Sequence, residues 1–217
     1  MRHSGSAIAI LIPAAGASRR MAGRDKLLEP VAGRPILRRI ARLCVTSGCD
    51  TLVTLPTTGP FGTGRSAALS GLPVHQHGLI DADEGLSASL RVGAQFAKDA
   101  QGLMVVLPDM PDIDLADLNS LLEMFAADRK TPLRAASQDG KPGHPVIIPH
   151  RLFPHLAQLH GDKGARDLLA NPETRLCPLS GLRAITDLDT PEDWAAWRAR
   201  QSPAPAHLHA QPGEMPT

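Results

Sequence analysis

Two short stretches of this 217-residue chain carry side chains suited to handling a phosphorylated ligand. The first is Ala14-Ala15-Gly16-Ala17-Ser18-Arg19-Arg20-Met21, with Asp25-Lys26 just beyond it. Small residues at 14–16 leave backbone N–H groups uncovered, and Arg20 and Lys26 add positive charge beside them, which is the make-up of a phosphate cradle. The second is Leu107-Pro108-Asp109-Met110-Pro111, a carboxylate flanked by two prolines that restrain its backbone. A carboxylate facing bound phosphates is what Mg²⁺ requires, because the ion takes few protein ligands and completes its shell with phosphate oxygens and water. Taken singly, the basic run could be a solvated loop and Asp109 a turn residue.

The two stretches gain weight from the elements that would hold them. Ile8 to Ile12 is an unbroken apolar run ending at Pro13, and Leu103 to Leu107 is another ending at Pro108. Runs of this kind are strands covered on both faces of a parallel sheet, whose ligands bind beyond the carboxyl ends of the strands. Both candidate stretches therefore fall at one edge of one sheet. Further strands are expected at Thr51 to Leu55, near Val74, at Leu133 to Ala136, at Pro145 to Ile148 and around Leu176. Helices are expected after Pro35 as far as Gly48, at Ser87 to Lys98, after an Asp114 cap, near Leu152 to Leu159, at Lys163 to Leu169 and from Thr190 through Trp197. Pro56 to Gly71, dominated by Gly, Pro, Ser and Thr, reads as a long loop. The alternation predicts an α/β fold, a three-layer α/β/α sandwich around a mostly parallel, Rossmann-like sheet. Residues 1–200 would form one domain and 201–217 a proline-rich disordered tail.

Composition narrows the partners. Lysine and arginine exceed aspartate and glutamate by one, and aromatics are 3% of the chain. That excludes nucleic acid as the main partner, since neither a net basic field nor stacking platforms are present. Three cysteines without CxxC spacing fit a reducing compartment, and no apolar run is long enough to span a bilayer, so no membrane partner and a cytoplasmic location are expected. Gly59-Pro60-Phe61-Gly62-Thr63-Gly64-Arg65-Ser66 imitates a Walker A loop but lacks its lysine, and is set aside. His75 and His77 share one strand face and read as structural.

The block Ile12 to Met21 with Asp25-Lys26-Leu27-Leu28 resembles the nucleotide-binding signature of the MobA-like nucleoside triphosphate transferases, most closely their molybdenum cofactor cytidylyltransferase branch. The resemblance extends through Gly85-Leu86-Ser87-Ala88-Ser89-Leu90, Leu107 to Pro111, Gly143-His144-Pro145-Val146, Gly161-Asp162-Lys163-Gly164-Ala165-Arg166 and Asp187-Leu188-Asp189-Thr190-Pro191. It implies that Ala14, Ala15 and Gly16 meet the nucleotide through their backbone, that Arg20 and Lys26 grip its phosphates, and that Ser89 lies near the base. It also implies that Asp109 binds Mg²⁺ with Asp187 or Asp189, and that Gly143, His144, Asp162 and Arg166 lie toward the acceptor. Ala22-Gly23-Arg24 departs from the family's shorter spacing, which leaves the reach of Lys26 open.

The implied reaction moves a nucleoside monophosphate from a triphosphate to the phosphate of molybdopterin, releasing pyrophosphate. Ala15, where the guanylyl branch tends to carry glycine, points to CTP over GTP. A client molybdoenzyme or its chaperone would be a further partner. Two other readings stay open: a related transferase acting on a sugar phosphate, and a cofactor-binding maturation chaperone without turnover, which would have no need for Arg20, Lys26 and Asp109 together.

Overall fold

The computed structural model describes residues 7–80, 84–161 and 173–201. The elements begin with β1 (Ile8–Pro13), a small hairpin of β2 (Pro30–Val31) and β3 (Arg34–Pro35), α1 (Ile36–Thr46), β4 (Asp50–Pro56), α2 (Gly62–Ala68) and β5 (His75–Leu79). They continue with α3 (Leu86–Phe96), β6 (Gly102–Val105), α4 (Leu115–Ala127), β7 (Leu133–Ala136), β8 (Pro142–Pro149), α5 (Phe153–Leu156), β9 (Arg175–Pro178) and α6 (Pro191–Gln201). The main sheet has seven strands in the order β5-β4-β1-β6-β8-β7-β9. β1 runs parallel to both β4 and β6, β5 is parallel to β4, and β7 to β9, while β8 is antiparallel to its neighbours β6 and β7.

β1 shows why its sequence reads as a continuous apolar run. Ile8, Ile10 and Ile12 pack on one face with Ile36, Leu37 and Ile40 of α1 and Leu118, Leu121 and Phe125 of α4. Ala9 and Leu11 pack on the other with Leu90 and Ala94 of α3 and Phe153 and Leu156 of α5. Helices thus cover both faces, as predicted, and the strand alternation assigns each side chain its layer. α3 lies close to the sheet at Gly93, where an added Cβ would come within 2.9 Å of Leu11 and 3.0 Å of Leu103.

The N-terminus of α4 follows its expected chemistry. The Asp114 side chain accepts from the Asp117 N–H and the Asp117 side chain accepts from the Asp114 N–H, both at 3.0 Å, a reciprocal capping box. One expectation is corrected: the stretch from Pro56 to Gly71 is not all loop, since α2 occupies Gly62–Ala68, while the short strand expected near Val74 lies at His75–Leu79. His75 and His77 are both exposed, and the His75 ring packs at a tilt against Phe96 with centroids 5.1 Å apart. The expected helix at Lys163 to Leu169 and the 201–217 tail, apart from Gln201, lie outside the described residues. Among the described residues no helix is long and apolar enough to cross a membrane.

Candidate active site

The loop after β1 leaves the sheet with the Ala14 N–H donating to the Thr54 carbonyl at 2.9 Å. Beyond that point it turns sharply. Ser18 has φ of 48°, and Ala22 and Gly23 follow with φ of 50° and 84°. A non-glycine residue held in the left-handed region is uncommon and concentrates at functional sites. The Ala22-Gly23-Arg24 segment makes a turn closed by Arg24 N–H to the Met21 carbonyl at 3.0 Å, and the chain then enters a single 3-10 turn at Lys26–Leu28. Asp25 caps that turn, accepting from the Leu27 N–H at 3.0 Å.

The extra residues do not cost Lys26 its reach. Its Nζ donates to Asp109 Oδ2 at 2.5 Å and to Asp189 Oδ1 at 2.7 Å. Arg20 donates to the other oxygen of Asp189, Oδ2, at 2.6 Å. Burial alone would lower the Lys26 pKa, but the charges of Asp109 and Asp189 and their hydrogen bonds outweigh it and hold it above the usual lysine value. Lysine has three ammonium hydrogens, so the two carboxylates leave one for a ligand.

Asp189 is placed by α6. Trp194 and Trp197 are buried and anchor that helix, with Trp197 Nε1 donating to Asp112 Oδ1 at 2.8 Å. Its N-terminus is closed by Asp193, which accepts from the Thr190 N–H at 2.9 Å while its own N–H donates to Thr190 Oγ1 at 3.1 Å. Asp187, two residues before Asp189, is exposed. Partial desolvation, and then the negative charges of Asp109 and Asp189, push its carboxyl above the ordinary range.

A cavity of about 280 Å³ opens over this cluster, lined by Gly16, Ala17, Ser18, Arg19, Arg20, Lys26 and Asp189. The N–H groups of Gly16, Ala17 and Ser18 donate to no acceptor among the described residues. A Cβ built on Gly16 would meet nothing within 4 Å, and its φ lies outside the left-handed region, so neither packing nor backbone conformation requires glycine there. A ligand brought against the backbone would. For a metal ion, the donor set is thin but suitable. No three acidic, histidine or cysteine side chains converge among the described residues. Asp109 Oδ1, however, is buried with no hydrogen-bond partner, the kind of carboxylate oxygen a divalent cation occupies.

The remaining candidates divide. Ala14 and Ala15 are buried at the root of the loop, and Ala15 packs with Leu79 and Ala88. Ser89 is buried, with its hydroxyl bonded to Thr54 Oγ1 at 2.9 Å beneath the loop. Gly143 is fixed by close packing, because a Cβ there would stand 1.8 Å from the Ala184 carbonyl oxygen. His144, next to it on β8, has a buried Nδ1 without a hydrogen-bond partner. Burial, and then the charge of Arg134, hold its pKa down at about 4. Asp162 and Arg166 lie outside the described residues.

The residue that sequence reasoning missed is Arg65. It is wholly buried on α2 and reaches the underside of the loop, pairing with Asp25 at 2.7 Å. It stands where a Walker A loop has its lysine, yet it points away from the cavity and into the protein. Its signal was a spacing, Phe61-Arg65-Leu69 at every fourth residue, masked by the small residues between. The Arg65 guanidinium lies 5.3 Å from the Phe61 ring centroid, and Leu69 is buried.

A family model described as "MobA-like NTP transferase domain" matches residues 10–195. The chain is 27% identical over 203 residues to the purine catabolism protein PucB of Bacillus subtilis, covering 87% of this chain and 95% of PucB. It is 28% identical over 196 residues to a probable molybdenum cofactor guanylyltransferase of Synechococcus elongatus, covering 87% of this chain and 96% of that protein. Rv0371c of Mycobacterium tuberculosis, 26% identical, superposes with a TM-score of 0.75 over 89% of this chain and 98% of its own, and it has also been solved in complex with manganese.

Proposed function

The chain belongs to the MobA-like NTP transferase family and is a nucleotidyltransferase, and from that premise we propose that it transfers CMP from CTP to the phosphate of molybdopterin. The observation that carries this reading is Lys26, held by carboxylates from two distant segments at the mouth of a loop with unpartnered amides. An acceptor or binding protein without turnover has no use for that arrangement.

In the proposed reaction a phosphate oxygen of the acceptor attacks the α-phosphorus of the triphosphate. The bond from that phosphorus to the bridging oxygen breaks, and pyrophosphate leaves with the bonding electrons. The nucleophile is already an anion, so no side chain needs to remove a proton. The protein's part is positioning and charge neutralisation. Lys26 offers its third hydrogen to a phosphate oxygen, Arg20 adds a second cation at the exposed side, and the amides from Gly16 to Ser18 approach the polyanion without added bulk. Asp109, with Asp187 or Asp189, would hold Mg²⁺, which supplies further neutralisation of the triphosphate. The manganese complex of Rv0371c supports a divalent cation in this fold. His144, neutral at physiological pH, lies on the side proposed for the acceptor.

CTP is favoured by the Ala15 methyl, which fills space between the loop and α3 that a purine would otherwise share. The guanylyltransferase from Synechococcus makes GTP the rival donor. Pyrophosphate release from purified protein with molybdopterin, Mg²⁺ and either nucleotide tests both points. Release with CTP above GTP is expected; release with GTP alone overturns the base assignment, and nucleotide binding without release overturns the transfer.

A further inference from the structure

All five N–H donors of the Arg65 guanidinium are in use, and all five are directed at one short stretch of chain. Nε and Nη2 donate to the two oxygens of Asp25 at 2.8 and 2.7 Å. Nη1 donates to the Ala14 carbonyl at 2.8 Å and to the Gly16 carbonyl at 2.7 Å. Nη2 also donates to Ser18 Oγ at 3.1 Å. Arginine has only five such hydrogens, set in a rigid planar fork. None is left for a ligand, and Arg65 has no exposed surface to offer one.

What this fork controls is the direction of the loop's peptide groups. In a planar trans peptide the C=O and the following N–H point opposite ways. Drawing the Ala14 and Gly16 carbonyls toward Arg65 therefore turns the N–H groups of Ala15 and Ala17 away from it. Ala17 and its neighbours Gly16 and Ser18 line the cavity. A loop presenting carbonyl oxygens at that cavity would repel a polyanion; this one presents donors. Asp25 balances the buried charge, so the pinning adds no net charge beneath the site.

We infer that Arg65 is a positioning residue for the nucleotide: it orients the peptide groups of Ala14 to Ala17 so that amides, and not carbonyls, meet the triphosphate. This role rests on reading the loop as the nucleotide site. It needs the whole fork, since a lysine keeps the charge but cannot span a carboxylate and two carbonyls at once. The buried Leu69 anchors the end of α2 in the core, and the Phe61 ring lies 5.3 Å from the guanidinium on the preceding turn.

The test is Arg65→Lys, compared with wild type for melting temperature, nucleotide-induced stabilisation, and the separate KM and kcat values. Expected is a rise of about tenfold or more in KM for the nucleotide, with kcat within about threefold and the acceptor KM unchanged. A lower melting temperature with an unchanged nucleotide KM overturns the role and leaves Arg65 a structural residue only. Should Arg65→Lys fail to fold, Ser18→Ala removes one arm of the same network, and a nucleotide KM unmoved by it overturns the role equally. A wild type that binds no nucleoside triphosphate overturns the functional reading along with it. A wild type that binds, beside an Arg65→Lys variant that binds as tightly, overturns this inference alone.

Discussion

The backbone N–H of Leu188 donates to the carbonyl oxygen of Asp109 at 3.1 Å, fastening the segment before α6 to the segment after β6. That bond sets Asp109 and Asp189 on either side of Lys26, and the lysine is what allows two carboxylates to sit so close. Replacing Lys26 with alanine, or Asp109 with alanine, should reduce kcat/KM by roughly a hundredfold, about 3 kcal/mol of transition-state stabilisation. Both variants should keep the native circular dichroism spectrum, because the cluster lies at the sheet edge and not in either core layer. Near-normal turnover in either variant would remove these residues from the site.

Gly16 separates ligand contact from folding more cleanly. Its built Cβ meets no protein atom within 4 Å, so Gly16→Ala should leave the melting temperature unchanged or slightly raised by the reduced freedom of the unfolded chain. The added methyl would instead project where the nucleotide approaches. A nucleotide KM about tenfold higher with an unaltered thermal transition is the expected pairing. An unchanged KM would mean that the ligand does not come against this backbone.

Much of this was legible in the sequence because the strands that position the site are also the most apolar segments. β1 and β6 announced themselves, and Gly16, Lys26 and Asp109 follow directly from their ends. Arg65 was hidden because α2 is a poor helix by composition, with glycine at 62 and 64, and it is held instead by Arg65 and Leu69, both buried against other elements. Propensity arguments see the glycines and not the tertiary contacts. Ser89 is a different case: its place in the motif is as expected, but its hydroxyl also bonds to that of Thr54, a pairing that links α3 to β4 and that no local pattern reveals.

His144 should make the protein sensitive to acid. Its pKa is about 4 in the folded chain against an ordinary 6.5, so above 6.5 the imidazole is neutral in both states and contributes no pH dependence. As pH falls from 6.5 toward 4 the unfolded chain takes up a proton that the folded chain refuses, and stability is lost by up to about 3 kcal/mol. His144→Asn should flatten that part of the profile. Melting temperatures of both proteins across pH 7 to about 4.5 would show it. Parallel profiles would mean that the imidazole is solvated enough to titrate normally.

The proposed preference for CTP rests on Ala15, and the setting of its methyl makes the expected effect specific. The methyl is buried against Leu79 and Ala88, where β5 and the first turn of α3 close on the loop. Ala15→Gly removes one buried methyl and loosens the backbone, for a stability loss of about 1 kcal/mol. The same change opens room on the side proposed for the base. A single methyl in a close-fitting pocket is worth about 1–3 kcal/mol of discrimination, so the GTP-to-CTP ratio of kcat/KM should rise by about tenfold or more. The ratio is the informative quantity, because general loosening of the loop would weaken both nucleotides alike. A variant that loses activity toward both with the ratio unmoved would place the base away from Ala15, leaving its methyl as packing between loop and helix.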